Sequence, residues 1–309
     1  MGISVTTLIV TVAGPPALAA RSPSGAAAVH RQTRTEADDA TGYWTAGRMA
    51  AATPLGDGDG ADPAGPVRTG DMSPGGDSGR ARIGWAWHFR GVPSVGALFF
   101  SSGRGDHYCT ASVVQSPHAD LVLTAAHCLY GGRHHYVSRV VFVPRYAAGR
   151  RPYGVWPIRS IMVDRRWARH LDPDLDFAFA TIRPRHGRWI GRMIRGNRLG
   201  TDAGFRNWVH VIGYPNLRTN RRDVAVGCAS RTSRAGRFQM RFRCGGFTGG
   251  TSGSPWLAHY DARTGTGEVI GVIGGLHKGG WTAIVSYSSY FDHDIRRLYT
   301  QATAGPADR

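Results

Sequence analysis

Lysine is almost missing from this chain: Lys278 is the only one among 38 Lys and Arg residues, which outweigh 21 acidic residues to give a formal net charge of +17. Arginine suits phosphate recognition. Here, however, Arg150, Arg151, Arg165, Arg166, Arg183 and Arg185 are scattered through turns and are not interleaved with aromatic residues on one helix or sheet face. That pattern argues against a dedicated nucleic-acid module. It fits non-specific adhesion, with anionic cell-surface polymers as the natural partner.

Long apolar runs are missing too. The first 20 residues hold an apolar stretch too short, and too interrupted by Pro15 and Pro16, to span a bilayer. They end on Ala17-Leu18-Ala19, a small-x-small cleavage pattern, so 1–20 reads as a secretory signal peptide, although no Lys or Arg precedes its apolar run. The expected destination is extracellular. Residues 21–82 lack any sustained period of 2 or 3.6 and are rich in Ala, Gly, Pro and Asp, which reads as a low-complexity pro-segment or solvated linker. Asp57, Asp59 and Asp62 hint at a calcium loop, but the ligand spacing fails at Ala61 and no closing Glu follows. One aromatic island, YWTAGRM at 43–49, could anchor such a segment to a folded domain. Residues 303–309 read as a disordered tail.

From residue 83 the texture changes to short apolar runs between turns, among them VGALFF (95–100), LVLTA (121–125), FAFATI (177–182), WVHVIGY (208–214) and EVIGVIG (268–274). Strands at this density with little helical periodicity predict an all-β sandwich or barrel over 83–302. Residues 237–243, RFQMRFR, alternate, placing Phe238, Met240 and Phe242 on one face and the basic residues on the other. The one good helical pattern is terminal: Phe291, Ile295, Leu298 and Tyr299 share a side, with Asp292 and Asp294 early and Arg296 and Arg297 later, in keeping with the helix dipole.

Cysteine is scarce and no CxxC spacing occurs, which leaves no zinc signature; no metal and no cofactor is expected. Four cysteines in an exported chain suggest two disulfides, for which three pairings exist. Cys228 and Cys244 flank the alternating strand, so a local bridge across a hairpin is natural and leaves Cys109 for Cys128.

Cys128 directly follows a histidine. The run Thr124-Ala125-Ala126-His127-Cys128 resembles the histidine motif of chymotrypsin-like serine peptidases, in which that cysteine bridges back to one on the preceding strand, where Cys109 stands. A histidine base needs a carboxylate to hold its tautomer. Asp176, just before Phe177-Ala178-Phe179-Ala180, resembles the family aspartate, whereas Asp172 and Asp174 flank Pro173 as turn residues. GTSGSP at 250–255 is similar to the family's Gly-Asp-Ser-Gly-Gly-Pro, and only Ser252 puts Gly253 and Pro255 in register, with Ser254 at a glycine position. A Gly-Ser-Pro ending is familiar from bacterial members, including glutamyl endopeptidases. The rival GxSxG elbow fails at Ser254, and the chain order His, Asp, Ser is wrong for that fold.

The resemblance spans about residues 90–300 and implies two antiparallel β-barrels of chymotrypsin type with a C-terminal helix. It also implies a catalytic set of His127, Asp176 and Ser252, and an oxyanion hole from the Gly250 and Ser252 amides. Protein or peptide substrates, cut by a monomer, follow from it. Thr251 departs from the family: in trypsins an aspartate there receives the ammonium of a newly cut N-terminus, and no Ile-Val-Gly-Gly start precedes Gly96. The substrate pocket is expected around Phe247, Thr248, Gly275 and His277. No aspartate stands at Gly246–Thr248 to bind Arg or Lys, and His277 resembles the acid-binding histidine of glutamyl endopeptidases. Two other classes stay open, an inactive peptidase-fold binding protein and a basic module that binds polyanions.

Overall fold

The computed structural model describes residues 27–55, 83–103, 105–131, 135–217 and 220–304. The expected signal peptide, residues 21–26 and 56–82 of the expected linker, and residues 305–309 of the expected tail lie outside them. Residues 27–55 form β1 (Ala27–Arg31), α1 (Arg34–Tyr43), α2 (Ala46–Ala51) and β2 (Thr53–Pro54). Two short strands, β3 (Gly84–Trp85) and β4 (Trp87–His88), lead into β5 (Val95–Ser102), β6 (Gly105–Val114) and β7 (Leu121–Thr124). Then come α3 (Ala126–Leu129), β8 (Ser138–Pro144), β9 (Trp156–Asp164), α4 (Arg165–His170) and β10 (Ala178–Ile182).

Six of these strands pair antiparallel in the order β9-β10-β7-β6-β5-β8, and β8 pairs back to β9 through Val141 with Pro157 and Phe142 with Trp156, so the sheet closes into a barrel. β7 and β10 are buried at every residue, which is why LVLT and AFATI read as continuous apolar runs instead of alternating ones.

The second half contributes α5 (Ile190–Met193), β11 (Arg198–Leu199), β12 (Trp208–Gly213), β13 (Val226–Arg234), β14 (Gln239–Gly245), β15 (Pro255–Asp261), β16 (Thr266–Val272), β17 (Val285–Ser289) and α6 (His293–Thr303). A second sheet runs β11-β16-β15-β12-β13-β14-β17, with β3 on β14 and β4 on β13. β16 and the chain that follows it approach β17 where the Val272 amide donates to Ser288 Oγ at 3.0 Å and the Gly274 amide to the Tyr287 carbonyl at 3.0 Å. Disulfides join Cys109 to Cys128 and Cys228 to Cys244, the pairing expected from sequence. Each closes a short loop and contributes about 3 kcal/mol in the chain-entropy picture. α6 starts at the Asp292 cap, whose carboxylate accepts from the Asp294 amide at 2.8 Å, and buries Ile295 and Leu298 while Tyr299 packs on Phe179.

The expected linker is, over residues 27–55, part of the first sheet. β1 adds to the outer edge of β9, and β2 pairs parallel to β6. Trp44 is fully buried against Phe99, and its indole N–H donates to the Arg139 carbonyl at 2.6 Å. Tyr43 Oη donates to Asp106 Oδ1 at 2.9 Å. The aromatic island at 43–49 therefore does anchor the segment. Its helix leaves no period in the sequence because α1 buries only Ala37 and Ala40, too little apolar surface to produce one. The available signal was the Thr33/Glu36 capping box, in which the Thr33 amide donates to Glu36 Oε2 at 2.6 Å and the Glu36 amide to Thr33 Oγ1 at 3.2 Å. Replacing Trp44 with Ala should cost about 3–5 kcal/mol in urea unfolding; a loss below about 1 kcal/mol would show that residues 27–55 add little to the barrel.

Candidate active site

Asp176 sits at the end of a 3-10 turn, Pro173–Leu175, as the chain enters β10, and it is fully buried. A carboxylate taken out of water has to be met by donors. Three converge on it: the His127 ring at 2.7 Å from Nδ1 to Oδ2, the His127 amide at 2.9 Å to Oδ1, and the Gly275 amide at 2.9 Å to Oδ2. The carboxylate favours the Nδ1–H tautomer and leaves the Nε2 lone pair free as a base. His127 lies on α3, one residue before the cysteine bridged to β6, so the ring is fixed by the disulfide on one side and by Asp176 on the other. The Asp176 amide donates to Ser289 Oγ at 3.2 Å, and Ser289 Oγ donates to the Pro173 carbonyl at 2.8 Å.

The Ser252 loop comes from the second sheet but is held by the first barrel. The Thr110 amide donates to the Ser252 carbonyl at 2.8 Å and Thr110 Oγ1 to the Gly250 carbonyl at 3.0 Å. Gly253, at φ +83°, is pressed so close that a Cβ there would lie 2.1 Å from both the Thr110 carbonyl oxygen and Thr124 Oγ1, and 3.1 Å from the Ala125 nitrogen. Ser252 is thereby brought beside the chain that leads into His127. Among the described residues the Ser252 hydroxyl and the Gly250 and Ser252 amide N–H groups have no hydrogen-bond partner. Free backbone amides are what an oxyanion hole needs. Ser254 Oγ has no partner among the described residues either, but it is fully buried, 2.0 Å from where a Cβ on Gly213 would stand. Thr251 is buried as well and closes its own turn, Oγ1 donating to the Thr248 carbonyl at 2.7 Å.

A family model described as Trypsin matches residues 88–284. The chain belongs to the trypsin family. Among solved structures it is similar to the protease Anisep from Arthrobacter nicotinovorans, with 24% identity, a TM-score of 0.64, and coverage of 71% of this chain and 99% of that one. A thermostable serine protease, AL20, from an extremophilic microorganism matches at 25% identity and a TM-score of 0.63, over 69% of this chain and 98% of that one. A Glu endopeptidase matches at 15% identity and a TM-score of 0.58, over 72% and 98% of the two chains. No curated protein sequence matches the chain. The two-barrel architecture with a C-terminal helix is the chymotrypsin-like fold that these neighbours share.

Within this trypsin-family frame the expected pocket positions differ in their surroundings. Phe247 is buried with its ring 5.5 Å from Phe242 and belongs to the core of the second sheet. Thr248 Oγ1 accepts from the Asn216 amide at 3.2 Å. Gly275 touches Asp176 directly, and its φ of +76° leaves no room for a side chain, since a Cβ would come 2.4 Å from Gln239 Oε1. His277 is exposed on a 3-10 turn, Leu276–Gly279, its ring 4.6 Å from that of Trp281.

Two residues that support the site had no sequence signal. Gln239 is buried although it falls on the basic side of the alternating strand. Its Nε2 donates to the Pro173 carbonyl at 2.9 Å and to Asp174 Oδ1 at 2.8 Å, and its Oε1 accepts from the Leu276 amide at 3.1 Å. With Ser289 it ties the Asp176 turn to the 275–276 turn. Gly253→Ala should destabilise the fold by about 3 kcal/mol, because the Ser252 loop must leave β6 to admit the methyl group. Wild-type stability in urea would show that the loop is not clamped there.

Proposed function

We propose that the protein is a secreted serine endopeptidase that hydrolyses peptide bonds through His127, Asp176 and Ser252. The reading is carried by the buried Asp176–His127 pair at 2.7 Å, set beside a serine loop whose Gly250 and Ser252 amides are free to donate. In this mechanism Ser252 Oγ attacks the scissile carbonyl carbon while His127 Nε2 takes its proton. Asp176 stabilises the resulting imidazolium, and the Gly250 and Ser252 amides donate to the oxyanion. His127 then protonates the leaving amine, and water, activated by the same histidine, releases the acyl group. Export is supported by two disulfides, which persist in oxidising compartments, and by the leader-like character of residues 1–20. Among the described residues no helix is long and apolar enough to cross a membrane.

The pocket residues bear on specificity. No carboxylate stands at Gly246, Phe247 or Thr248, so Lys and Arg are not selected at the cut bond. Affinity with glutamyl endopeptidases, and reading of an acidic side chain by His277, would show as enrichment of Glu or Asp before the cut in peptide-library profiling.

A serine-reactive phosphonate should label the wild-type protein and not Ser252→Ala. Asp176→Asn, which turns an amide donor toward donors, should lower kcat by about 10⁴-fold with folding intact. Labelling that survives in Ser252→Ala, or full activity of Asp176→Asn, would overturn the assignment.

A further inference from the structure

The second sheet carries a basic surface away from the proposed catalytic residues. At the end of the β13–β14 hairpin, Phe205, Arg206, Ser233, Arg234 and Arg241 line an open cavity of about 690 Å³. Arg206, Arg234 and Arg241 are exposed, and among the described residues none of them forms an ion pair with a carboxylate. Their charges are uncompensated, and two of the guanidinium groups are positioned: Arg241 Nε donates to Ser233 Oγ at 3.0 Å, and the Arg234 guanidinium carbon lies 4.7 Å from the centre of the Phe205 ring.

This surface runs to the edge of the proposed active site. Directly opposed residues on neighbouring antiparallel strands share a face. Ser233 is opposite Arg241, and Arg241 is opposite Tyr287, so the three lie in one row across β13, β14 and β17. The Tyr287 ring is 6.2 Å from that of His277, which in turn is 4.6 Å from Trp281, an indole left 72% exposed. His277 follows Gly275, whose amide binds Asp176. A row of cationic and aromatic side chains thus leads from the arginine cavity to the turn that orients the histidine.

We infer that the arginine end of this row, Arg206, Arg234 and Arg241, is an exosite for an acidic segment of a protein or peptide substrate, with His277 at the other end left to the pocket that reads the cut bond; the inference rests on the endopeptidase reading above. The occupant is polypeptide because the row ends at the proposed site of peptide cleavage. Single-stranded nucleic acid stacks its bases on open aromatic faces, and the aromatic ring that lines the arginine cavity, Phe205, is occupied by Tyr290, stacked at 4.7 Å, and by Arg234. One inter-strand spacing separates Arg241 from Tyr287, so Arg241 and the His277 turn are bridged by about three extended residues.

The test uses a cleavable peptide extended by four Asp or by four Asn, on either side, beginning about four residues from the scissile bond. For the wild-type protein the Asp extension on one side should lower KM about tenfold relative to Asn, with kcat unchanged, in a manner suppressed by salt. In Arg234→Gln/Arg241→Gln the advantage should vanish while the Asn-extended peptide is cut as before. Equal KM for both peptides, or an advantage that survives the double substitution, overturns the exosite. If no peptide is cut, the catalytic reading fails by itself, and binding decides the exosite. A fluorescein-labelled Asp-extended peptide should bind Ser252→Ala, and the same protein carrying both arginine substitutions should not bind it. Equal binding by the two proteins overturns the exosite, as does better competition by an oligonucleotide of the same charge.

Discussion

The buried carboxylate of Asp176 is the interaction on which the rest of the site depends. An ion withdrawn from water costs several kcal/mol unless its lone pairs are filled, and its donors come from both halves of the chain. His127 offers ring and amide from the first barrel, and Gly275 offers an amide from the turn after β16. Neither half satisfies the carboxylate by itself, so the charge is tolerated only when the two halves dock in one register. Ser289 and Gln239 add to this by fastening the turn that carries Asp176 to the second sheet. The same docking sets Thr110 against the Ser252 loop. Charge burial and loop placement are therefore two results of one interface.

Much of this was legible in the sequence, for reasons that differ by residue. His127, Asp176 and Ser252 each stand in a short motif, and the structure pairs His127 with Asp176 and sets the Ser252 loop beside the chain that leads into His127. Register alone favours Ser252 over Ser254, and Ser254 is the more deeply buried of the two, packed against Gly213. The strand that alternates at 237–243 buries Met240 and Phe242 as its period requires. What stayed hidden is long-range. Gln239 contacts Pro173 and Leu276, and Gly253 contacts Thr110 and Thr124; no local pattern encodes partners so far along the chain. The folded segment 27–55 was hidden for another reason. Its helix docks through two alanines and is followed by a single large anchor, Trp44, so composition gave the impression of a linker.

Thr251 gains its meaning from these contacts. Where trypsins fix the loop before the nucleophile by an ion pair to a new N-terminus, this chain places a neutral hydroxyl that turns back to the Thr248 carbonyl. The loop must then be ordered by something else, and β6 supplies it. Thr110 bonds the carbonyls of Gly250 and Ser252, and the Tyr108 ring lies where a Cβ on Gly250 would be 2.5 Å from Cε2, while Tyr108 Oη donates to the Pro215 carbonyl at 3.0 Å. β6 is itself buttressed from outside: β2 pairs Thr53 with His107 and Pro54 with Tyr108, and the Leu55 amide donates to the Tyr108 carbonyl at 3.3 Å. Residues 27–55 therefore brace the strand that holds the proposed oxyanion loop. Cutting that segment away would remove support from the loop, the opposite of the gain in order that a new N-terminus brings in trypsins, so order in the Ser252 loop is built into the uncut fold.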